Sequence, residues 1–161
     1  MWIGGWMELV EGAETMSLTG QGGAPKLPGL STEQQNRVYY LALFPNLLIS
    51  PHPDFVLSHR LEPISPTRTL VECRTLFPRA VAEAQGFDGS YANEFWDVTN
   101  RQDWAACESV QRSAASRGFK PGPISEMEES VFQFFNMIAA GYVDGHISPP
   151  KNPTVLAKPK R

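Results

Sequence analysis

A carboxylate interrupts an apolar pattern in residues 100–113, NRQDWAACESVQRS. With 3.6 residues per turn, a helix over 91–112 brings Asp103 to a side that also carries apolar residues. That side holds Trp96, Asn100, Asp103, Cys107, Val110 and Gln111, with Trp104 at its edge. Burial of a lone carboxylate costs several kcal/mol unless the group is paired or binds a metal. A buried Asp103 therefore needs a compensating interaction.

Three roles for Asp103 fit this pattern. The first is structural: a core aspartate satisfied by hydrogen bonds, or one turned to solvent because the helix phase differs by one residue. The second is a general acid or base. The third is a metal ligand, because iron(II) oxygenases bind their metal with two histidines and one carboxylate and leave positions open for oxygen and substrate. The residues alone leave these three roles open.

Three segments before residue 78 predict β-strands. Residues 38–49 are dense in apolar and aromatic side chains, and Pro45 predicts a break or bulge within them. In residues 54–62 and 67–77, apolar and polar side chains alternate, which places them on opposite faces of a strand. The short connections between the three segments predict an antiparallel meander.

Two helices are predicted after the strands, over residues 91–112 and 125–140. Ser125 and Glu128 have the spacing of a capping box at the start of the second helix. Near the N terminus, a solvated helix face is indicated by three carboxylates at three-residue spacing: Glu8, Glu11 and Glu14. Strands followed by helices predict an α+β fold, with the helices on one face of an antiparallel sheet.

The composition fits one globular domain. The chain has 161 residues, of which 42% are hydrophobic and 19% charged, and its net charge of −3 offers no basic surface for nucleic acid. No apolar run reaches the roughly 18 residues of a membrane span. The first residues lack the regions of a signal peptide, and Cys73 and Cys107 have no CxxC spacing. We therefore expect a cytoplasmic protein with reduced thiols and neither a nucleic-acid nor a membrane partner.

The segment DWAACESVQRSAAS, followed by GPISEMEESVFQFF, resembles the C-terminal part of the large (alpha) subunit of Rieske-type aromatic-ring-hydroxylating oxygenases. The upstream segments GGWMELVEGAETMSLTG and YYLALFPNLLISPHPDFVLSHRLEPISPTRT are similar to strands of the same catalytic domain. The resemblance covers nearly all of residues 2–142, although Ser113 stands where the family usually has glycine. It implies a helix-grip (START/Bet v 1-like) fold, an antiparallel sheet packed on a long C-terminal helix, incomplete at its N-terminal side.

The resemblance also predicts the organisation of the chain. We expect residues 1–145 to be the C-terminal portion of the alpha-subunit catalytic domain and residues 146–161 to be a flexible, basic, proline-rich tail. The opening residues, WIGGWMEL, have the character of a domain interior. We therefore expect the chain to be the later part of a longer protein, separated from its N-terminal half by truncation or gene fragmentation.

In the family, the aspartate of the motif is the carboxylate ligand of a mononuclear iron(II), and this position is Asp103 here. The family's other cofactor is a [2Fe-2S] cluster in an upstream Rieske domain, bound by Cys-x-His and Cys-x-x-His pairs, and neither cysteine of this chain has such a histidine. The family's two iron-ligating histidines lie on an upstream helix. His52 and His59 are poor substitutes, because an odd separation of seven places them on opposite faces of a strand. We expect this chain alone to lack activity.

The implied reaction is mono- or dioxygenation of an aromatic or other small organic substrate. It uses dioxygen and reducing equivalents from NAD(P)H, delivered by a reductase or ferredoxin, in a trimer-based homo-oligomer. Besides Asp103, we predict that five residues line or support the site: Trp96, Asn100, Cys107, Gln111 and His59. Two alternatives are a stand-alone helix-grip module that binds a small molecule without redox activity, and a non-functional remnant.

Overall fold

The computed structural model describes residues 2–125 and 128–147. Within them, five strands form one antiparallel sheet in chain order: β1 (Trp2–Glu8), β2 (Arg37–Leu43), β3 (Leu47–Pro51), β4 (Val56–Ser65) and β5 (Arg68–Leu76). The helices are α1 (Arg79–Ala82), α2 (Ser90–Ala114) and α3 (Glu129–Asp144), and a 3₁₀ turn at Gln34–Asn36 precedes β2. This arrangement confirms the predicted α+β class and is consistent with part of a helix-grip domain. No helix in these ranges is long and apolar enough to cross a membrane.

The segment predicted as one broken strand, 38–49, is a hairpin. β2 ends at Leu43 and β3 begins at Leu47, with a cis peptide bond before Pro45 in the turn between them. Asn46 fastens this turn to β4, because its side-chain amide donates to the Leu61 carbonyl at 3.0 Å. The strands predicted at 54–62 and 67–77 are confirmed as β4 and β5.

The helical face predicted for the N-terminal glutamates is wrong. Residues 2–8 form β1, which pairs with β2 from Trp2 opposite Leu43 to Glu8 opposite Arg37. A side chain at Gly4 would collide with the carbonyl oxygen of Tyr40, so a glycine permits the close approach of the two strands. The strand pattern was hidden because two glycines interrupt the alternation of side chains.

The second long helix begins later than predicted. α3 starts at Glu129 and ends at Asp144, and the following Gly145 adopts the left-handed conformation that often terminates helices. The Glu128 carboxylate accepts a hydrogen bond from the backbone N–H of Ser125 at 2.8 Å, which is one half of the predicted capping box. Of the predicted tail, residues 148–161 lie outside the described residues.

The first half of α2 packs on the sheet. Ala92 and Trp96 form a buried cluster with Phe55 and Leu57, and three of the four have no exposed surface. Complete burial of a Leu or Phe side chain contributes about 1.5–3 kcal/mol. The predicted contact between the long helix and the sheet is therefore confirmed.

A buried carboxylate fastens the loop formed by residues 9–33 to this core. Asp54 is 2% exposed and accepts hydrogen bonds from Thr15 Oγ1 at 2.5 Å and from the Tyr91 hydroxyl at 2.6 Å. Burial raises the pKa of Asp54, against the opposing effect of these hydrogen bonds. The Leu27 N–H also donates to the Pro53 carbonyl at 2.7 Å. One side chain thus joins the loop, the β3–β4 connection and the start of α2.

We expect Asp54→Ala to lower the free energy of unfolding by about 3 kcal/mol, because it leaves the hydroxyls of Thr15 and Tyr91 without their acceptor. Urea unfolding followed by tryptophan fluorescence measures this loss. Asp97→Ala is the control, since Asp97 is exposed and pairs with Arg101 at 2.8 Å on the helix surface. The control should lose less than about 0.5 kcal/mol. Equal losses in the two variants would contradict a structural role for Asp54.

Candidate functional site

A groove of about 910 Å³ lies between the sheet and the two long helices, a size within the range of small-molecule sites. Its lining comes from all five strands, α2 and α3. The wall is mostly apolar and rich in aromatic rings: Trp2, Trp6, Tyr40, Phe44, Trp96, Trp104 and Phe134. The few polar side chains on it are those of Ser50, His59, Asn100, Asp103 and Ser130. Such a groove suits a small, largely apolar ligand.

One face of α2 supplies three of the groove's polar and reactive side chains, those of Asn100, Asp103 and Cys107. Trp96, Asn100, Asp103 and Cys107 follow one another at three- and four-residue spacing, and all four line the groove. Residues with this spacing share a helix face. His59 of β4 lines the groove opposite them. The structure therefore brings together five of the six residues predicted for the site.

Burial decreases along this face. Asn100 is 6% exposed, whereas the side chains of Asp103 and Cys107 are exposed to solvent. The expectation that Asp103 is a buried carboxylate is wrong, although its predicted helix face is right. The carboxylate borders the groove in a part of the helix that water reaches, so its desolvation cost is avoided. Gln111, one turn beyond Cys107, is exposed and is not brought to the groove.

Asn100 connects α2 to two strands. Its Oδ1 accepts a hydrogen bond from His59 Nε2 on β4 at 3.0 Å, and its Nδ2 donates to Cys73 Sγ on β5 at 3.4 Å. His59 and Cys73 stand directly opposite each other in the β4–β5 ladder. Burial raises the pKa of the Cys73 thiol, against the opposing effect of the bond from Asn100, so the sulfur is a neutral thiol. The amide thus fixes the helix one turn before Asp103.

His52 is a buried histidine beneath the groove wall. It lies in the β3–β4 connection, is only 2% exposed, and its ring stacks on Phe55 with 4.1 Å between ring centroids. The Trp96 ring lies nearly perpendicular to the His52 ring, with 5.5 Å between the two ring centroids. Nδ1 donates to the Ser50 carbonyl at 2.8 Å, and Nε2 has no hydrogen-bond partner among the described residues. The flanking prolines carry no periodicity from which this burial could have been predicted.

The described residues fit one position of an iron site. A two-histidine, one-carboxylate centre needs three side chains facing one metal. Asp103 offers a carboxylate at the groove, and His59 on the opposite wall has one ring nitrogen, Nε2, bonded to Asn100. In residues 2–125 and 128–147, no group of three or more His, Cys, Asp or Glu side chains is placed to bind a metal ion. A complete centre would therefore need ligands from outside these residues.

Comparison with known proteins places this geometry in context. The family model of the ring hydroxylating alpha subunit (catalytic domain) matches residues 1–145. The glycine betaine monooxygenase oxygenase subunits of two Pseudomonas aeruginosa strains, UCBPP-PA14 and PAO1, are 29% identical over 123 residues, or 76% of the chain. The aligned stretch covers 29% of the length of those subunits, so the chain corresponds to less than a third of them.

Acid should destabilise the fold through His52. Burial lowers the pKa of His52 to about 4, compared with about 6.5 for an unfolded histidine. The folded pKa is the lower one, so the stability contributed by the neutral ring is complete above pH 6.5 and is lost as the pH falls towards 4. At about 1.4 kcal/mol per pKa unit, we expect His52 to contribute a loss of roughly 2–3 kcal/mol between pH 7 and pH 4.5, measured by urea unfolding as the difference from a variant without this histidine.

The variant His52→Phe isolates this effect. It keeps the stacking on Phe55 and cannot titrate, so its stability should change less with pH, although it is less stable at pH 7 because the bond to Ser50 is lost. Asp54 titrates in both proteins and cancels from the comparison. The same pH dependence in the two proteins would show that another group controls the acid response.

Proposed function

Because the chain belongs to the catalytic-domain family of ring hydroxylating alpha subunits, we propose that it is the C-terminal portion of an oxygenase catalytic domain and that Asp103 is one ligand of its mononuclear iron(II). The observation that carries this proposal is the position of Asp103. It lines an apolar groove on the same helix face as Trp96, Asn100 and Cys107, at the end where the helix is open to water. A carboxylate beside an apolar substrate site suits a ligand that holds iron next to the substrate.

The residues of this chain would contribute binding and orientation. Aromatic side chains of β1, β2 and α2 form a wall that packs against the apolar body of a substrate and displaces water from it. Asn100 holds the helix, and hence Asp103, at a fixed distance from the sheet. When bound, iron(II) supplies the activation of dioxygen, with electrons from the [2Fe-2S] cluster of a Rieske domain.

We propose a small organic substrate with a largely apolar surface. An aromatic ring fits the aromatic wall by stacking or edge contacts. The relatives are named for glycine betaine, a quaternary ammonium compound. Quaternary ammonium groups bind to the faces of Trp and Tyr rings, of which the groove has several, so N-methyl substrates are a second class that suits this wall.

The remaining parts of the proposal follow from family membership. Residues 1–145 would be the catalytic-domain portion and 146–161 a basic tail. The relatives are more than three times as long as the aligned stretch, which leaves room for a Rieske domain and an iron-binding histidine pair. The working enzyme would be a cytoplasmic, trimer-based oligomer that receives electrons from NAD(P)H through a reductase or ferredoxin.

A binding module without redox chemistry is the second candidate. It is favoured by one observation: residues 2–125 and 128–147 form a groove of ligand size but hold no group of three or more metal-ligating side chains. In such a module, or in a non-functional remnant, Asp103 would have no metal to bind. Iron binding and turnover therefore separate these candidates from the oxygenase.

The purified 161-residue chain should bind iron(II) weakly. A single carboxylate leaves most of the coordination shell to water, so little affinity is expected. Anaerobic equilibrium dialysis followed by iron quantification tests this, with Asp103→Ala as the matched variant. Tight, stoichiometric iron in the chain would show that its ligands are misassigned, and His59 would be the first residue to re-examine.

Asp103→Ala should have different effects in the chain and in a complete oxygenase subunit that contains it. In the chain, the change should alter the free energy of unfolding by less than about 0.5 kcal/mol, because the side chain is exposed. In the complete subunit it should abolish hydroxylation and deplete the mononuclear iron, while the Rieske cluster remains.

Asp97→Ala is the control for this pair of measurements. Asp97 lies on α2 six residues before Asp103 and pairs with Arg101 on the exposed side. It should change neither the stability of the chain nor turnover. If Asp103→Ala instead unfolds the chain, while the complete subunit keeps its iron and its turnover, Asp103 is a structural residue.

A further inference from the structure

One ring nitrogen of His59 is accessible beside the groove. His59 is half-buried and lines the groove, and its Nε2 is bonded to Asn100. Nδ1 has no hydrogen-bond partner within residues 2–125 and 128–147. It is also absent from the buried, unpartnered side-chain nitrogens of this part of the chain, which are Arg37 Nε, His52 Nε2 and Trp96 Nε1. This nitrogen is therefore unpaired and not fully buried.

The amide of Asn100 determines which ring nitrogen carries hydrogen. Asn100 Nδ2 donates to Cys73 Sγ, so Oδ1 is the atom that faces His59. A carbonyl oxygen only accepts, and His59 Nε2 must therefore be the donor. In the neutral ring, Nδ1 is then a hydrogen-bond acceptor. With the amide reversed, the Cys73 thiol would have to donate to Oδ1 and His59 Nε2 would have to accept from Nδ2, so the tautomer of His59 reports the orientation of Asn100.

We propose that His59 is a specificity-determining residue, whose Nδ1 accepts a hydrogen bond from a hydroxyl or N–H group of the ligand in the groove. This proposal rests on the proposed role of the groove as the substrate site. The groove would then select small aromatic or apolar molecules that carry one such donor. Asn100 acts through His59 and is a positioning residue.

The chemistry of the wall explains why one acceptor has this effect. The surfaces around His59 are mainly apolar. Leu48 lies opposite it in the β3–β4 ladder, and the centroid of the Trp96 ring is 6.2 Å from that of the imidazole. A ligand without a donor removes water from Nδ1 and leaves the nitrogen unpaired, which costs affinity. A ligand with a donor at this position replaces that water. Sites built to bond a polar group discriminate against analogues that lack it.

Two probes of the same ring size test this selection: phenol, which has a hydroxyl donor, and toluene, which has a methyl group instead. The purified chain, with nitrogen-15-labelled histidine, is titrated with each probe at pH 8, where an ordinary imidazole is neutral. In the wild type we expect an unprotonated Nδ1 signal that shifts with phenol and not with toluene. The ratio of phenol to toluene affinity should fall about tenfold in His59→Leu.

Two further variants complete the test. His146→Leu is the matched control, because His146 is exposed and lies near the end of the described chain. It should leave the affinity ratio unchanged. Asn100→Ala removes the acceptor of His59 Nε2, so the ring should populate both neutral tautomers. The ratio of phenol to toluene affinity should then lie between those of the wild type and His59→Leu. The nitrogen signals of the wild type need no variant, which keeps the proposal testable if a variant does not fold.

The outcomes separate this inference from the proposed function. Hydrogen on Nδ1 of His59 in the free wild-type chain would overturn the inference directly. Binding of both probes in the groove with the same affinity ratio in the wild type and His59→Leu would overturn it, while the groove would remain a ligand site. Binding of neither probe would overturn the inference together with the proposed role of the groove.

Discussion

The side-chain amide of Asn100 joins α2 to both β4 and β5, and the geometry of the groove depends on this contact. The cross-strand pair of His59 and Cys73 gives the amide one donor and one acceptor of fixed position. Neutral hydrogen bonds of this kind contribute about 1 kcal/mol each, which is less than the apolar cluster one turn earlier provides. The apolar cluster therefore holds α2 on the sheet, while the Asn100 amide sets the rotation of α2 about its own axis and its position along the strands.

That rotation determines what the rest of α2 presents. Once Trp96 and Asn100 are fixed, the helical period leaves Asp103 and Cys107 no other face than the one that borders the groove. Neither residue needs a partner of its own to be oriented, since the helix backbone positions both. The carboxylate is thus pointed at an apolar groove without being buried in it. A site of this kind avoids the cost of desolvating an ion and still places the ion beside the ligand.

The sequence allowed the elements and the helix face to be predicted, because both depend on periodicity. α2 was predicted from its spacing to within two residues at each end, and β4 and β5 from their alternation. Periodicity could not reveal how far the sheet extends along the helix, and for that reason it left open whether Asp103 is buried or faces solvent. Nor could it reveal the reversal at Pro45, which lies inside a continuous apolar run, or the pairing of β1 through Gly4.

The contacts that depend on distant residues were also beyond prediction. Asp54 is tied to Thr15 and Tyr91, which lie 39 and 37 residues away in the chain. The burial of His52 depends on Phe55 and on a helix that begins nearly forty residues later. Single-sequence patterns describe one element at a time, whereas Asp54 gains its hydrogen bonds and His52 is enclosed only when several elements meet. Buried polar residues between prolines or glycines therefore gave no local signal.

The two halves of α2 differ in burial. Residues of the first half, such as Trp96 and Asn100, are buried and also line the groove. Their replacement would therefore change the stability of the fold and the shape of the groove together. Residues of the second half, such as Asp103 and Cys107, border the groove while remaining exposed, so the fold places little constraint on their identity. A carboxylate at an exposed helical position has no structural necessity here. The proposed role as an iron ligand would account for a carboxylate at this position beside an apolar groove.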